Sequence, residues 1–189
     1  ATNPVYKGTD FVFSAFKELK KKYDVELNCF GNFSEETKKQ FPEINFGFVS
    51  GQQFSEKVLP ANDILLMPSL IESFGFTALE AFSNSIPVIS SDIMALPEIN
   101  QNNKTGYLIN FPKEYHKKIF SNPYFFSHKA KKLNKNTIVS QLIEKTGLLI
   151  EDSSLRKKFG KNAFNEVSKG KFSLRNRQNK LKEIFPDLF

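Results

Sequence analysis

Two glutamates eight positions apart, Glu72 and Glu80, flank the segment that carries the most chemistry in this chain. An apolar run ends at Met67 and is stopped by Pro68-Ser69. Glu72 follows, then Ser73-Phe74-Gly75-Phe76-Thr77, then a helical pattern reaching Glu80. A site for a sugar carried on a nucleotide needs these parts: carboxylate acceptors for sugar and ribose hydroxyls, and free backbone N–H groups for phosphates. The spacing alone decides nothing, because Glu18/Glu26 and Glu35/Glu43 repeat it. The signal lies in the strand–turn–helix context.

Within that context Ser73 is the expected N-cap. Phe74, Gly75 and Phe76 would form the first helical turn, with unpaired amides suited to a pyrophosphate. Gly75 has no Cβ and lets a ligand approach the backbone. Glu80 would lie about 10 Å further along the axis. Its side chain leans back towards the N-terminus, within reach of a ribose beside the phosphates. Glu72 precedes the cap and would repel a pyrophosphate, so it should face a neutral sugar. The same residues would also suit a capped helix with no ligand.

The elements that must position this segment alternate. Apolar residues at helical spacing (Val12, Ala15, Phe16, Leu19, Tyr23) predict a first helix capped by Thr9 or Asp10. Strands are expected at Val25–Phe30, Ile44–Val49, Asp63–Met67, Ile86–Ser90 and Gly106–Ile109. Helices are expected at Ser34–Gln40, Gln53–Leu59 and Phe74–Ser83. Short apolar strands alternating with helices give a Rossmann-like, doubly wound parallel α/β sheet. Ligands in such a sheet sit beyond the carboxyl ends of the strands, which puts Gly31 and Val49 beside the Met67–Ser73 loop. Three helical stretches close the chain: Thr137–Ile150, Ser153–Ser168 and Ser173–Phe185.

Composition bounds the partners. The 189 residues suit one domain, 1–189, and no apolar run is long enough for a membrane helix. A cytoplasmic protein is expected, with peripheral contact to the plasma membrane's inner face as an option. The net charge of +7 is uneven: residues 1–112 carry −4, 113–136 carry +6 and 151–189 carry +5. Residues 111–136 read as a basic insertion with Tyr115, Phe120, Tyr124, Phe125 and Phe126 interleaved. It is either a solvated face or a dock for anionic lipid. No nucleic-acid motif accompanies the charge, so nucleic acid is not an expected partner. The single cysteine, Cys29, excludes a disulfide and reads as a small buried residue. His116 and His128 have no metal-ligand pattern around them and read as surface residues.

The chain resembles the C-terminal, donor-binding half of GT-B fold glycosyltransferases, closest to the retaining glycosyltransferase family 4, or group 1. Nearly the whole chain, from Lys7-Gly8 to Phe185, takes part. The motifs are Lys7-Gly8-Thr9-Asp10, Phe30-Gly31, Gly47-Phe48-Val49, Ala61-Asn62-Asp63, Pro68-Ser69, Glu72-Ser73-Phe74-Gly75 through Leu79-Glu80-Ala81, Pro87 to Asp92, Pro97-Glu98 and Thr105-Gly106. The resemblance implies that Glu72 contacts the transferred sugar and that Glu80 takes the ribose hydroxyls. Amides around Phe74–Thr77 would hold the donor, and Lys7 would pair with its pyrophosphate. It implies no metal or cofactor, and a nucleoside-diphosphate sugar as substrate. The product would be a surface glycan such as lipopolysaccharide or capsule. The acceptor, a glycan or lipid-linked sugar, belongs to an N-terminal domain outside this chain, which therefore reads as a fragment inactive by itself.

Three departures stand out. Ala1 occupies the position where the family usually has a phosphate-binding Arg. Met94-Ala95 replaces the usual Gly-Gly before Pro97-Glu98, bulk that would narrow the sugar pocket. Residues 111–136 exceed the usual linker. Two other functions compete: a sugar-nucleotide epimerase of GT-B-like fold, and a basic membrane-recruitment module. The Ser-Phe-Gly turn between Glu72 and Glu80 fits the transferase better.

Overall fold

The structure is a computed structural model and describes residues 4–119 and 134–186. The sequence readings at Ala1, at His128 and across most of the 111–136 insertion lie outside those residues. Among the described residues the strands form two parallel ladders. β1 (Asn28–Phe30) pairs with β2 (Asn45–Gly47), Cys29 facing Phe46. β3 (Leu65–Met67) pairs with β4 (Val88–Ser91), and β4 with β5 (Gly106–Ile109). The parallel α/β class is as expected. The single continuous sheet is not: β1 and β3 share no ladder, and a cleft lies between them.

The helices differ from expectation chiefly at their starts. α1 (Thr9–Leu19) is capped by neither Thr9 nor Asp10. Its N-cap is Gly8, in the left-handed region at φ 68°. A Cβ there would lie 2.1 Å from the carbonyl oxygen of Pro68, so only glycine fits. This close approach seats the Tyr6–Gly8 segment on the loop after β3, where Leu70 N–H also donates to Tyr6 O at 2.8 Å. α2 (Glu35–Gln40) starts at the expected Ser34, whose hydroxyl accepts the Thr37 amide. α3 (Gly51–Gln53) continues through irregular turns to Ala61. α4 (Phe76–Ser83) begins two residues later than expected.

Two short helices were not expected, α5 (Leu96–Ile99) and α6 (Lys113–Ile119). Four residues containing Pro97, and seven within a basic run, carry too little periodicity to read. α7 (Lys135–Glu151), α8 (Ser153–Ser168) and α9 (Leu174–Ile184) follow the expected order. α7 packs on α1, and α8 packs on α4.

Two apolar cores form. The larger surrounds β3–β5 and takes in Phe82, Ile89, Ile93, Leu96, Ile109, Leu142 and Phe159. The smaller lies under β1 and β2 and explains part of the phenylalanine surplus: the Phe13 ring contacts Phe33, Phe41 and Phe46 at 6.2, 4.8 and 5.9 Å. Leu66 packs against both cores. Across the gap, Asn28 Nδ2 donates to Asn62 Oδ1 at 2.9 Å.

Asn100 is fully buried, and the two hydrogens of its Nδ2 are shared among Val88 O, Ser90 Oγ and Tyr107 O, all within 3.0 Å. Its Oδ1 accepts from Thr105 Oγ1. One side chain thus ties β4 to β5 and satisfies polar groups that would otherwise be stranded. Asn100→Ala should lower stability by about 2 kcal/mol, and Gly8→Ala by about as much through the clash with Pro68. Urea denaturation of both variants checks this.

Candidate functional site

A cleft of about 980 Å³ opens where the two ladders part. Lys7, Thr9, Ser69, Thr77 and Glu80 line one wall, and Gly31, Asn32, Val49, Ser50 and Gly51 line the other. Gly31-Asn32, Val49-Ser50 and Ser69 follow β1, β2 and β3; Lys7 precedes α1; Thr9, Gly51, and Thr77 with Glu80, lie in α1, α3 and α4. The second wall is pinned by a capping box at α3: Gln53 N–H donates to Ser50 Oγ, and Ser50 N–H donates to Gln53 Oε1. That box was not foreseen from sequence.

α4 supplies the first wall in a different way from the expected one. Ser73 is exposed and caps nothing. The N-cap is Gly75, left-handed at φ 98°, with no side-chain hydrogen bond at the cap. A Cβ on Gly75 would press on Leu96 and Ile99 at 3.1 Å each, so tight packing against α5 accounts for the glycine. The first-turn amides are therefore those of Phe76, Thr77 and Ala78. Ala78 N–H turns back to Gly75 O, which leaves Phe76 and Thr77 N–H without a backbone partner among the described residues. Thr77 and Glu80, three residues apart on one face of α4, both point into the cleft.

Ser73, Phe74, Gly75 and Phe76 themselves do not line it. Phe74 and Phe76 are exposed, with ring centroids 4.6 Å apart. Glu72 is not on the wall either. Its Oε2 accepts from Lys7 Nζ at 2.6 Å, which brings the two residues into one ion pair. Glu72 N–H donates to Met94 Sδ at 3.4 Å. Met94 sits at φ 49°, a left-handed conformation that suits glycine, so it keeps a glycine-like backbone and adds a thioether against the Glu72 loop.

Two further groups were missed or misplaced. Ser69 Oγ is fully buried on the cleft wall, with no hydrogen-bond partner among the described residues. The Pro68-Ser69 strand stop flagged its position but not its isolation. Tyr115, read as part of an exposed basic-aromatic surface, is buried against Phe111, and its hydroxyl donates to Leu70 O at 2.7 Å. It supports the loop that carries Glu72. His116 Nε2 lies 3.3 Å from Asp92 Oδ1, which also accepts the Phe111 amide.

Cys29 is half-buried in the cleft lining, not fully buried as expected, because β1 borders the cleft; the burial it has pushes its thiol up to about 12 from an ordinary 9.0. The neutral thiol is inert at physiological pH. Its stabilising contribution is complete below pH 9 and lost as pH rises towards 12, because the unfolded thiol ionises first. Iodoacetamide at pH 8 should leave native Cys29 unlabelled and label it fully in urea, as mass spectrometry would read.

The family model for glycosyl transferases group 1 matches residues 4–138. The chain belongs to that family, whose members are sugar-transferring enzymes. It is 34% identical over 115 residues to an uncharacterised 41.2 kDa protein of the cps region of Klebsiella pneumoniae, a match covering 56% of this chain and 30% of that protein. Among solved structures it is similar to the C-terminal domain of the group 1 glycosyl transferase LpcC of Francisella tularensis. That similarity has a TM-score of 0.67 and 27% identity, over 89% of this chain and 81% of the other. Anabaena HepE, solved in complex with UDP-glucose, shares the fold at a TM-score of 0.69 and 18% identity, over 98% of this chain and 46% of HepE. The chain spans less than a third of the length of the curated relatives it matches. No helix among the described residues is long and apolar enough to cross a membrane.

Proposed function

We propose that the chain is the donor-binding domain of a retaining glycosyltransferase that uses a nucleoside-diphosphate sugar. The observation that carries this reading is the convergence of Lys7, Thr77 and Glu80 on one cleft, faced by Gly31 and Val49. The diphosphate lies between Lys7 Nζ and the amides of Phe76 and Thr77, where a cation and a helix N-terminus compensate its charge. No metal is needed for that compensation. Glu80 accepts from the ribose diol, and the backbone at Phe48–Ser50 reads the base. Glu72 accepts from a hydroxyl of the transferred sugar. Ser69 Oγ gains in the ligand the partner it lacks in the protein.

The UDP-glucose bound to Anabaena HepE supports a nucleotide sugar as ligand. The Klebsiella relative's place in a cps region supports a surface polysaccharide as product. In this reading a further domain binds the glycan or lipid-linked acceptor, and the enzyme works in the cytoplasm of a bacterium, beside the inner face of the plasma membrane. Titration calorimetry with UDP, GDP, ADP and their sugar conjugates tests the proposal. At least one should bind, and Lys7→Ala and Glu80→Ala should each weaken binding about tenfold. A folded protein that binds none of them contradicts it.

A further inference from the structure

The two groups given opposite tasks in the donor site hold each other in the structure. Lys7 Nζ donates to Glu72 Oε2 at 2.6 Å, with the Glu72 side chain only 11% exposed and Lys7 39%. We propose that this ion pair is a ligand-exchanged latch: it opens fully only for a molecule that offers a diphosphate to Lys7 and a sugar hydroxyl to Glu72 at once. The inference rests on the donor-site reading above and adds a selectivity to it.

The surroundings decide which partner moves. Glu72 is anchored through its backbone to Met94 Sδ. Its loop is held from below by the Tyr115 hydroxyl on Leu70 O and from the side by the Leu70–Tyr6 hydrogen bond. Gly8, against the Pro68 carbonyl, fixes the backbone beside Lys7. The mobile part is the lysine side chain, a four-carbon unbranched stem that swings without disturbing the fold.

A nucleoside diphosphate without its sugar draws Lys7 away and leaves a largely buried carboxylate unpaired beside an anion. That state is unfavourable on both counts. A sugar on the diphosphate brings O–H donors to the same carboxylate and removes the penalty. The latch therefore favours the intact donor over the diphosphate left after transfer, and speeds release of that product.

The test is titration calorimetry on the full chain with a matched pair, UDP and UDP-glucose, or the guanosine or adenosine pair if wild type binds that instead. Wild type should prefer the conjugate. Glu72→Gln should tighten the bare diphosphate about fivefold, leave the conjugate no tighter, and so collapse the preference. Glu72→Ser provides the same reading should the Gln variant not fold, as judged by circular dichroism. An unchanged or weakened affinity for the bare diphosphate in the folded variant overturns the latch. A wild type that binds no nucleotide overturns the donor-site reading itself, a separate result.

Discussion

A contact with no room for a side chain sets the geometry of this domain. Gly8 lies so close to the Pro68 carbonyl that a Cβ would stand 2.1 Å from the oxygen. The left-handed turn at Gly8 launches α1 and at the same time delivers Lys7 to the loop that carries Glu72. Any residue with a Cβ would force Gly8's segment and the Pro68 carbonyl apart, between Lys7 and the start of α1. The Lys7–Glu72 ion pair lies next to that approach, and α1, which starts there, packs along α7.

The second constraint is the division of the sheet. β1–β2 rests on its own phenylalanine-rich core, while β3–β5 rests on the larger one with α4, α7 and α8. Leu66 and the Asn28–Asn62 hydrogen bond link the two across the gap, and α1 joins them too, with Phe11 and Ala15 in the larger core and Val12, Phe13 and Phe16 in the smaller. Between the ladders lies the cleft. A ligand entering it would touch both halves, so binding energy can be used to hold the ladders together.

Much of this was legible in the sequence, for identifiable reasons. Strand centres at Cys29, Phe46, Leu66, Ile89 and Leu108 follow from short apolar runs, and the stripe of α1 from helical spacing. Motif order singled out Lys7 and both glutamates; Lys7 and Glu80 line the cleft, whereas Glu72 is paired to Lys7 off its wall. The start of α4 did not follow. Ser73 is a good capping residue by type, but the turn is decided by Gly75 packing on Leu96 and Ile99, a contact distant in sequence. Tyr115 was misread because its neighbours are basic, whereas its ring and hydroxyl answer to Phe111 and Leu70. The isolation of Ser69 is a property of three-dimensional burial that no local pattern records.

The claim on which everything else rests is that a nucleotide sugar occupies the cleft between the two ladders. Amide chemical-shift mapping of the isotopically labelled chain, titrated with the nucleotide sugar that binds best, tests it most directly. With the ligand in the cleft, shifts concentrate at Gly31, Val49, Ser50, Phe76, Thr77 and Glu80, on both walls at once. Shifts confined to the basic surface of α8 and α9, with those six amides unmoved, would contradict it.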